Sequence, residues 1–235
     1  MLGKLRRDTR MKTSVPDLLT FNGGYVDTAG YLALQGLFTA HVTGNFVTLG
    51  ASLVHGTAGA LPKILALPVV CAVIVGVRLV NSYLTRAGAL ALNGLLGAKI
   101  VLFIAAAVLA ISLGPFNNGD SAGALMTGMT LVAAMAIQNA VHRTFFTQSP
   151  PTTVMTGSTT QIMMDIGDLM TGHLPPEARS VARARCLTLL RSLCIFAVGC
   201  AVAALAYTRL GMLVFIIPPA TAALAFIPRL GGSAS

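Results

Sequence analysis

Residues 40–50 read AHVTGNFVTLG and residues 154–163 read VMTGSTTQIM. Two Thr-Gly-Asn/Ser stretches thus stand in the two halves of a very apolar chain. An irregular run precedes each of them, LFTAHV before the first and SPPTTVM before the second. Pro150 and Pro151 deny the second stretch a helical start, and Thr152, Thr153 and Val154 favour extended backbone. Thr43 or Asn45, and Thr156 or Ser158, suit helix N-caps, and Gly44 and Gly157 permit close backbone approach. The pattern predicts two short helices, over 43–55 and 156–170, each starting below a membrane surface. Such irregular backbone survives at membrane depth only when it is buried in protein or faces a wet cavity.

The membrane setting follows from composition. Of the 235 residues, 55% are hydrophobic and only 10% are charged, against about 25% charged in a soluble domain. A mean hydropathy of +0.79 points the same way. Six stretches are long enough to span: 16–38, 64–84, 89–113, 122–146, 186–208 and 210–228. The first is interrupted by Asn22, Gly23, Gly24 and Asp27, and Pro218 and Pro219 predict a kink in the last. The net charge of +9 comes largely from Lys4, Arg6, Arg7, Arg10 and Lys12 and from short loops, so it reads as a topology signal rather than a nucleic-acid footprint. The basic start reads as an uncleaved signal anchor. Arg179, Arg183 and Arg185 mark the 171–185 loop as cytoplasmic, and GPFNNGD, without Lys or Arg, as external. Both termini are then expected in the cytoplasm, with Lys63 and Arg209 as mild exceptions to the rule.

The expected fold is an all-α polytopic membrane protein built as a 3+3 inverted repeat. After a basic leader at 1–14, the first repeat covers 15–113 and the second 121–228. Each holds three spans and one re-entrant half-helix. Three spans is an odd number, so the second repeat lies upside down relative to the first, as in secondary transporters. The two half-helix N-termini would converge on one polar site near the bilayer centre.

The candidate substrate-binding residues are Asp27, His41, Thr43, Gly44, Asn45, Gln138, Asn139, Thr156, Gly157 and Ser158. Asp27 sits mid-span, where a carboxylate is costly unless paired, hydrated or protonated. It is either a proton carrier or ligand, or the structural partner of a base such as Lys99, Arg78 or Arg191. Gln138 and Asn139 could face it, or could bond neighbouring helices. His41 could pass protons or donate to broken backbone. Asp165 and Asp168 are expected at the cytoplasmic end, solvated and facing the Arg-rich loop. Cys71, Cys186, Cys194 and Cys200 form no CxxC pair and read as small buried hydrophobes. Seven of the ten methionines lie between 126 and 170, without a His spacing that suits a metal, and read as core packing. Neither cofactor nor metal is implied. No catalytic triad, phosphate loop or HExxH motif is present, so an enzyme is not expected.

GYVDTAGYLALQGLFTAHVTGNFVTLGASL, with AIQNAVHR and TTVMTGSTTQI, closely resembles the YoaK-like family of bacterial inner-membrane proteins, a domain-of-unknown-function group. The likeness covers the chain after its leader. It implies a multi-pass protein of the bacterial plasma membrane and supplies no substrate. At fold level the half-helix arrangement also resembles a reduced sulfate- and uracil-permease architecture. The expected activity is secondary transport of a small polar solute, anions included, with proton coupling through Asp27. A channel using the same site, or a non-transporting scaffold or sensor, are the alternatives. The expected partners are the solute and the lipid bilayer, with the small faces of NGLLGA and GMTLVAA available for a homodimer.

Overall fold

The computed structural model describes residues 14–56, 58–84, 88–153 and 155–230. The leader basics Lys4, Arg6, Arg7, Arg10 and Lys12, together with Val154, lie outside the described residues. The chain is helical, with no strand among the described residues. Its helices are α1 (Val15–Ala33), α2 (Gly44–His55), α3 (Ala60–Tyr83), α4 (Gly88–Leu113), α5 (Ala122–Phe145), α6 (Met155–Thr171), α7 (Pro176–Leu210) and α8 (Ile217–Leu230). A 3-10 segment, Gly211–Ile216, joins the last two. Four stretches are long and apolar enough to cross a membrane: 60–83, 92–113, 122–145, and the 176–225 stretch that runs from α7 into α8.

α1 is not among those four, and it is the helix most enclosed by the others. Its residues from Leu19 to Ala33 are largely buried, polar ones included. Ser14 starts it with a capping box to Asp17, and Pro16 occupies the first turn, where no intrahelical N–H partner is lost. Three glycines let neighbours reach its backbone. A Cβ added at Gly24 would collide with the Phe196 carbonyl, and one at Gly199 with the Phe21 carbonyl. α1 and α7 therefore cross backbone to backbone. A Cβ at Gly23 would collide with the carbonyl of Thr152, in the segment before α6.

Around α1, α7 packs on one side and α8 on another, while α5 bears on α3 and α4. α2 lies on α3, and α6 on α7. The main core gathers Tyr25, Val26 and Ala29 of α1, Phe103 and Ala106 of α4, Leu131 and Met135 of α5, and Phe215. One end of the bundle collects the turns after α1, α2 and α4. There Gln35 donates from Nε2 to the Phe116 carbonyl at 3.0 Å. The Asp120 carboxylate accepts from the N–H groups of Gly59 and Leu61, each at 2.9 Å, and so caps α3 from another loop. At the other end Arg191 of α7 reaches Asp17 at 2.7 Å.

Three expectations need correction. The break near the C-terminus falls at Gly211 (φ 53°), not at Pro218 and Pro219. Those prolines sit in the first turn of α8, where a missing N–H breaks no helical bond. The segment 176–185 is not a loop; it is the start of α7, a 35-residue helix. Glu, Ala and Arg are good helix formers, so its charge marks exposure rather than irregularity. Finally, Gly94 and Gly97 of NGLLGA meet no atom within 4 Å of an added Cβ, whereas Gly128 of GMTLVAA would meet the Leu37 side chain at 2.7 Å.

Candidate functional site

After α1 the chain turns back into the bundle before α2 begins. Asp27, 4% exposed and about one and a half turns before the end of α1, is the hook that holds it. Its Oδ1 accepts from the backbone N–H groups of Thr39 and Ala40, each at 2.8 Å. Its Oδ2 lies 2.6 Å from Nδ1 of His41. The carboxylate thus answers the backbone donors that an irregular buried segment leaves open. Its partner is His41; the bases proposed from sequence are occupied or placed elsewhere. Lys99 bonds Gln138, Arg191 pairs with Asp17, and Arg78 lines a different cavity.

His41 is oriented by Asp27 through one ring nitrogen. The ring also packs edge-on against Phe196 of α7, with centroids 5.8 Å apart. It lines a cavity of about 550 Å³ with Asp27, Tyr31, Phe38, Thr43, Gly44 and Cys200. Nε2 has no hydrogen-bond partner among the described residues, so it is the ring atom available to a proton or solute. Thr43 occupies the N-cap of α2 without a side-chain capping bond. Asn45 does not cap either. Its amide clamps the preceding loop, accepting from Phe38 N–H and donating to the Phe38 carbonyl, both at 2.8 Å.

The second half repeats the manoeuvre with different chemistry. After α5 the chain turns inward through Ser149–Thr153, and α6 starts from there. Gln138 Nε2 donates to Thr152 Oγ1 at 3.2 Å and to the Leu19 carbonyl at 2.8 Å, and Gln138 Oε1 accepts from Lys99 Nζ at 2.5 Å. Asn139 Oδ1 accepts from Thr153 Oγ1 at 2.9 Å. Gln138 is thus fully committed inside the protein and Lys99, 0% exposed, takes it as acceptor. Neither faces Asp27 across a site. Asn139, Thr152, Thr153, Gly157 and Ser158 instead line a cavity of about 640 Å³ with Arg78 and Arg143. The two cavities share no lining residue. Thr156 is exposed within α6, and neither it nor Ser158 is a cap, because the helix already starts at Met155.

Asp165 is buried, not solvated as expected. It holds α6 to α7 through Arg185, at 2.9 Å from Nε and 2.5 Å from Nη2, while Gln161 donates to it at 2.9 Å. The Arg185 guanidinium keeps this carboxyl below the usual carboxylate range. Asp168 is exposed.

Sequence reasoning missed the gripping roles of Thr39, Thr152 and Thr153, and it passed over Arg143. Pro150-Pro151 was the available signal for the second grip, since extended backbone beside a helix end needs side-chain partners. No cluster of His, Cys, Asp or Glu suited to a metal occurs among the described residues. The four cysteines are free, and Cys71 and Cys194 are exposed rather than buried.

No curated protein and no solved structure matches this chain. The family model described as "Protein of unknown function (DUF1275)" matches residues 17–227, in keeping with the YoaK-like resemblance, and the chain belongs to that DUF1275 family.

Proposed function

We propose that this protein is a proton-coupled secondary transporter of a small polar solute, built as six spans in a 3+3 inverted repeat. Under this proposal α1 and α8 join the apolar helices as spans, and α2 and α6 are the re-entrant half-helices. Helix packing supports it. Exchange α1 with α5, α2 with α6, α3 with α7 and α4 with α8. The α1–α7 contact becomes α5–α3, α4–α5 becomes α8–α1, and α2–α3 becomes α6–α7, all of which occur. The Lys/Arg asymmetry supports a bacterial plasma-membrane protein with both termini on the cytoplasmic side. Cysteine labelling from outside at position 177 would refute that topology. Nothing lies within 4 Å of a Cβ built at Gly94 or Gly97, and a free small-residue face of this kind supports a homodimer; a monomeric mass in nanodiscs would refute it.

The observation that carries the proposal is the Asp27–His41 pair on the wall of a cavity at the start of a half-helix. With Asp27 ionised and His41 neutral the pair carries one negative charge. A proton taken up at Nε2 makes the pair neutral and removes the repulsion an anionic solute would meet. Solute and proton then favour each other's binding, which is the linkage that symport requires. Thr43 and the α2 N-terminus supply donors beside the ring.

A thermal-shift screen of purified protein against small polar metabolites selects the solute. Flux in proteoliposomes under a pH gradient then tests the reading. A carrier saturates and shows counterflow; His41→Gln, which removes the ring nitrogen that takes up the proton, leaves binding measurable and removes its pH dependence. Flux without saturation or counterflow would indicate a channel, and no flux of any stabilising solute would indicate a scaffold or sensor.

A further inference from the structure

We propose that the cavity at the start of α6 binds a phosphate-type oxyanion, at a site separate from the Asp27–His41 cavity and independent of transport. Two cations line it, Arg78 of α3 and Arg143 in the last turn of α5. No Asp or Glu among the described residues lines it. Neither guanidinium has an ion-pair partner among the described residues, whereas Arg185 and Arg191 are each paired with an aspartate. Two forks without carboxylates leave a concentration of positive charge that a tetrahedral oxyanion matches edge by edge.

The first turn of α6 forms another part of the wall. This is a 17-residue helix, and its leading N–H groups and positive dipole end favour an anion. Gly157 lines the cavity, and nothing lies within 4 Å of a Cβ built on it, so the backbone there is open to a ligand.

Ser158 supplies the independent sign. It is 4% exposed and lines the same cavity, and its buried hydroxyl has no hydrogen-bond partner among the described residues. A hydroxyl in that state is costly, and a helical serine would ordinarily turn to a carbonyl one turn back. A bound oxyanion gives it an acceptor. His142 is not counted in the site, because its Nε2 is engaged with the Ser149 carbonyl at 3.2 Å. Arg78 lies five residues before the end of α3, near the depth at which a spanning helix meets lipid headgroups. The phosphate can therefore be free in solution or belong to an anionic lipid.

Two arms separate the sources. Full-length protein in phosphatidylcholine nanodiscs is titrated with inorganic phosphate, with chloride as control, by calorimetry and thermal shift. The same protein is placed in nanodiscs containing phosphatidylglycerol and assayed for thermal shift and for lipid retained in native mass spectra. Binding in the first arm assigns a free oxyanion, and binding in the second alone assigns a headgroup; either supports the proposal. Arg78→Gln and Arg143→Gln should each weaken binding about tenfold or more, and Arg143→Lys should recover part of it. Ser158→Ala should weaken binding severalfold and raise the melting temperature of the anion-free protein. A purely structural serine would not give that opposed pair of effects. If an arginine variant fails to fold, Ser158→Ala still decides. No binding in either arm, arginine variants that bind as wild type, or unchanged affinity in Ser158→Ala would each overturn the proposal.

Discussion

The two places where the chain turns back into the bundle use one backbone device with opposite electrostatics. Before α2 the returning segment is gripped by a carboxylate, Asp27, through two backbone N–H groups and His41. Before α6 it is gripped by two neutral amides, Gln138 and Asn139, through threonine hydroxyls. Among the described residues, the first cavity then holds an acid and no Lys or Arg, and the second holds two arginines and no acid. An irregular buried segment needs acceptors and donors, and it is indifferent to whether they carry charge. Which one is used decides what else the cavity attracts.

The largest expected effect comes from removing the charged grip. Asp27→Ala strands the N–H groups of Thr39 and Ala40 and should cost about 3–5 kcal/mol in unfolding measurements. Asn139→Ala removes one neutral hydrogen bond and should cost about 1 kcal/mol. Equal costs would break the contrast between the grips.

Next is the buried lysine behind the second grip. Gln138→Leu leaves the Lys99 Nζ donor without its acceptor and should destabilise by about 2 kcal/mol. Adding Lys99→Met should restore most of that loss, because no buried donor is then left unanswered. A double-mutant cycle with zero coupling would show that the pair is incidental.

A smaller effect is confined to α6. Because Arg185 lowers the Asp165 pKa in the folded state, the contact's stabilisation is complete above the unfolded carboxylate value of about 3.9 and disappears as pH falls through the lower folded one. Amide exchange across 155–171 should therefore be insensitive to pH, after correction for intrinsic rates, between neutrality and about pH 5. Asp165→Asn should speed exchange there at neutral pH. Slowed or unchanged exchange would argue that the α6–α7 apolar contact suffices.

The smallest effect separates the two glycines that look alike in sequence. Gly157→Ala places a methyl in open space inside a helix and should stabilise by up to about 1 kcal/mol. Gly44→Ala meets the Phe38 ring at 3.1 Å and should gain less or lose. Equal gains would mean that Phe38 yields freely.

Much of the helix pattern was legible. The prolines, the Thr-Gly steps and an aspartate in an apolar stretch marked where backbone is irregular, and the bounds of α2 and α6 fall within a residue of those expected. What escaped was pairing. Asp27 and His41 are 14 residues apart, too far for one helix and bridged only because the loop folds back. Gln138 looked like a ligand because an intramembrane amide and a buried lysine on separate spans cannot be matched without the α4–α5 packing. Gly157 was assigned close approach by analogy with Gly44, yet the backbone contact belongs to Gly23, which sequence could not distinguish from Gly24 beside it.

The α1–α7 crossing has a mechanical consequence. Peptide lies against peptide at Gly24 and Gly199, where the Phe196 and Phe21 carbonyls fill the space a Cβ would need. A seam of that kind slides an ångström or two without any rotamer having to reset, where a leucine zipper would catch and jump. The cavity beside His41 is bounded by Asp27, Thr28 and Tyr31 on α1 and by Phe196 and Cys200 on α7. Under the proposed transport function, a slip along that seam would change the aperture of the cavity, with Phe196 at its edge.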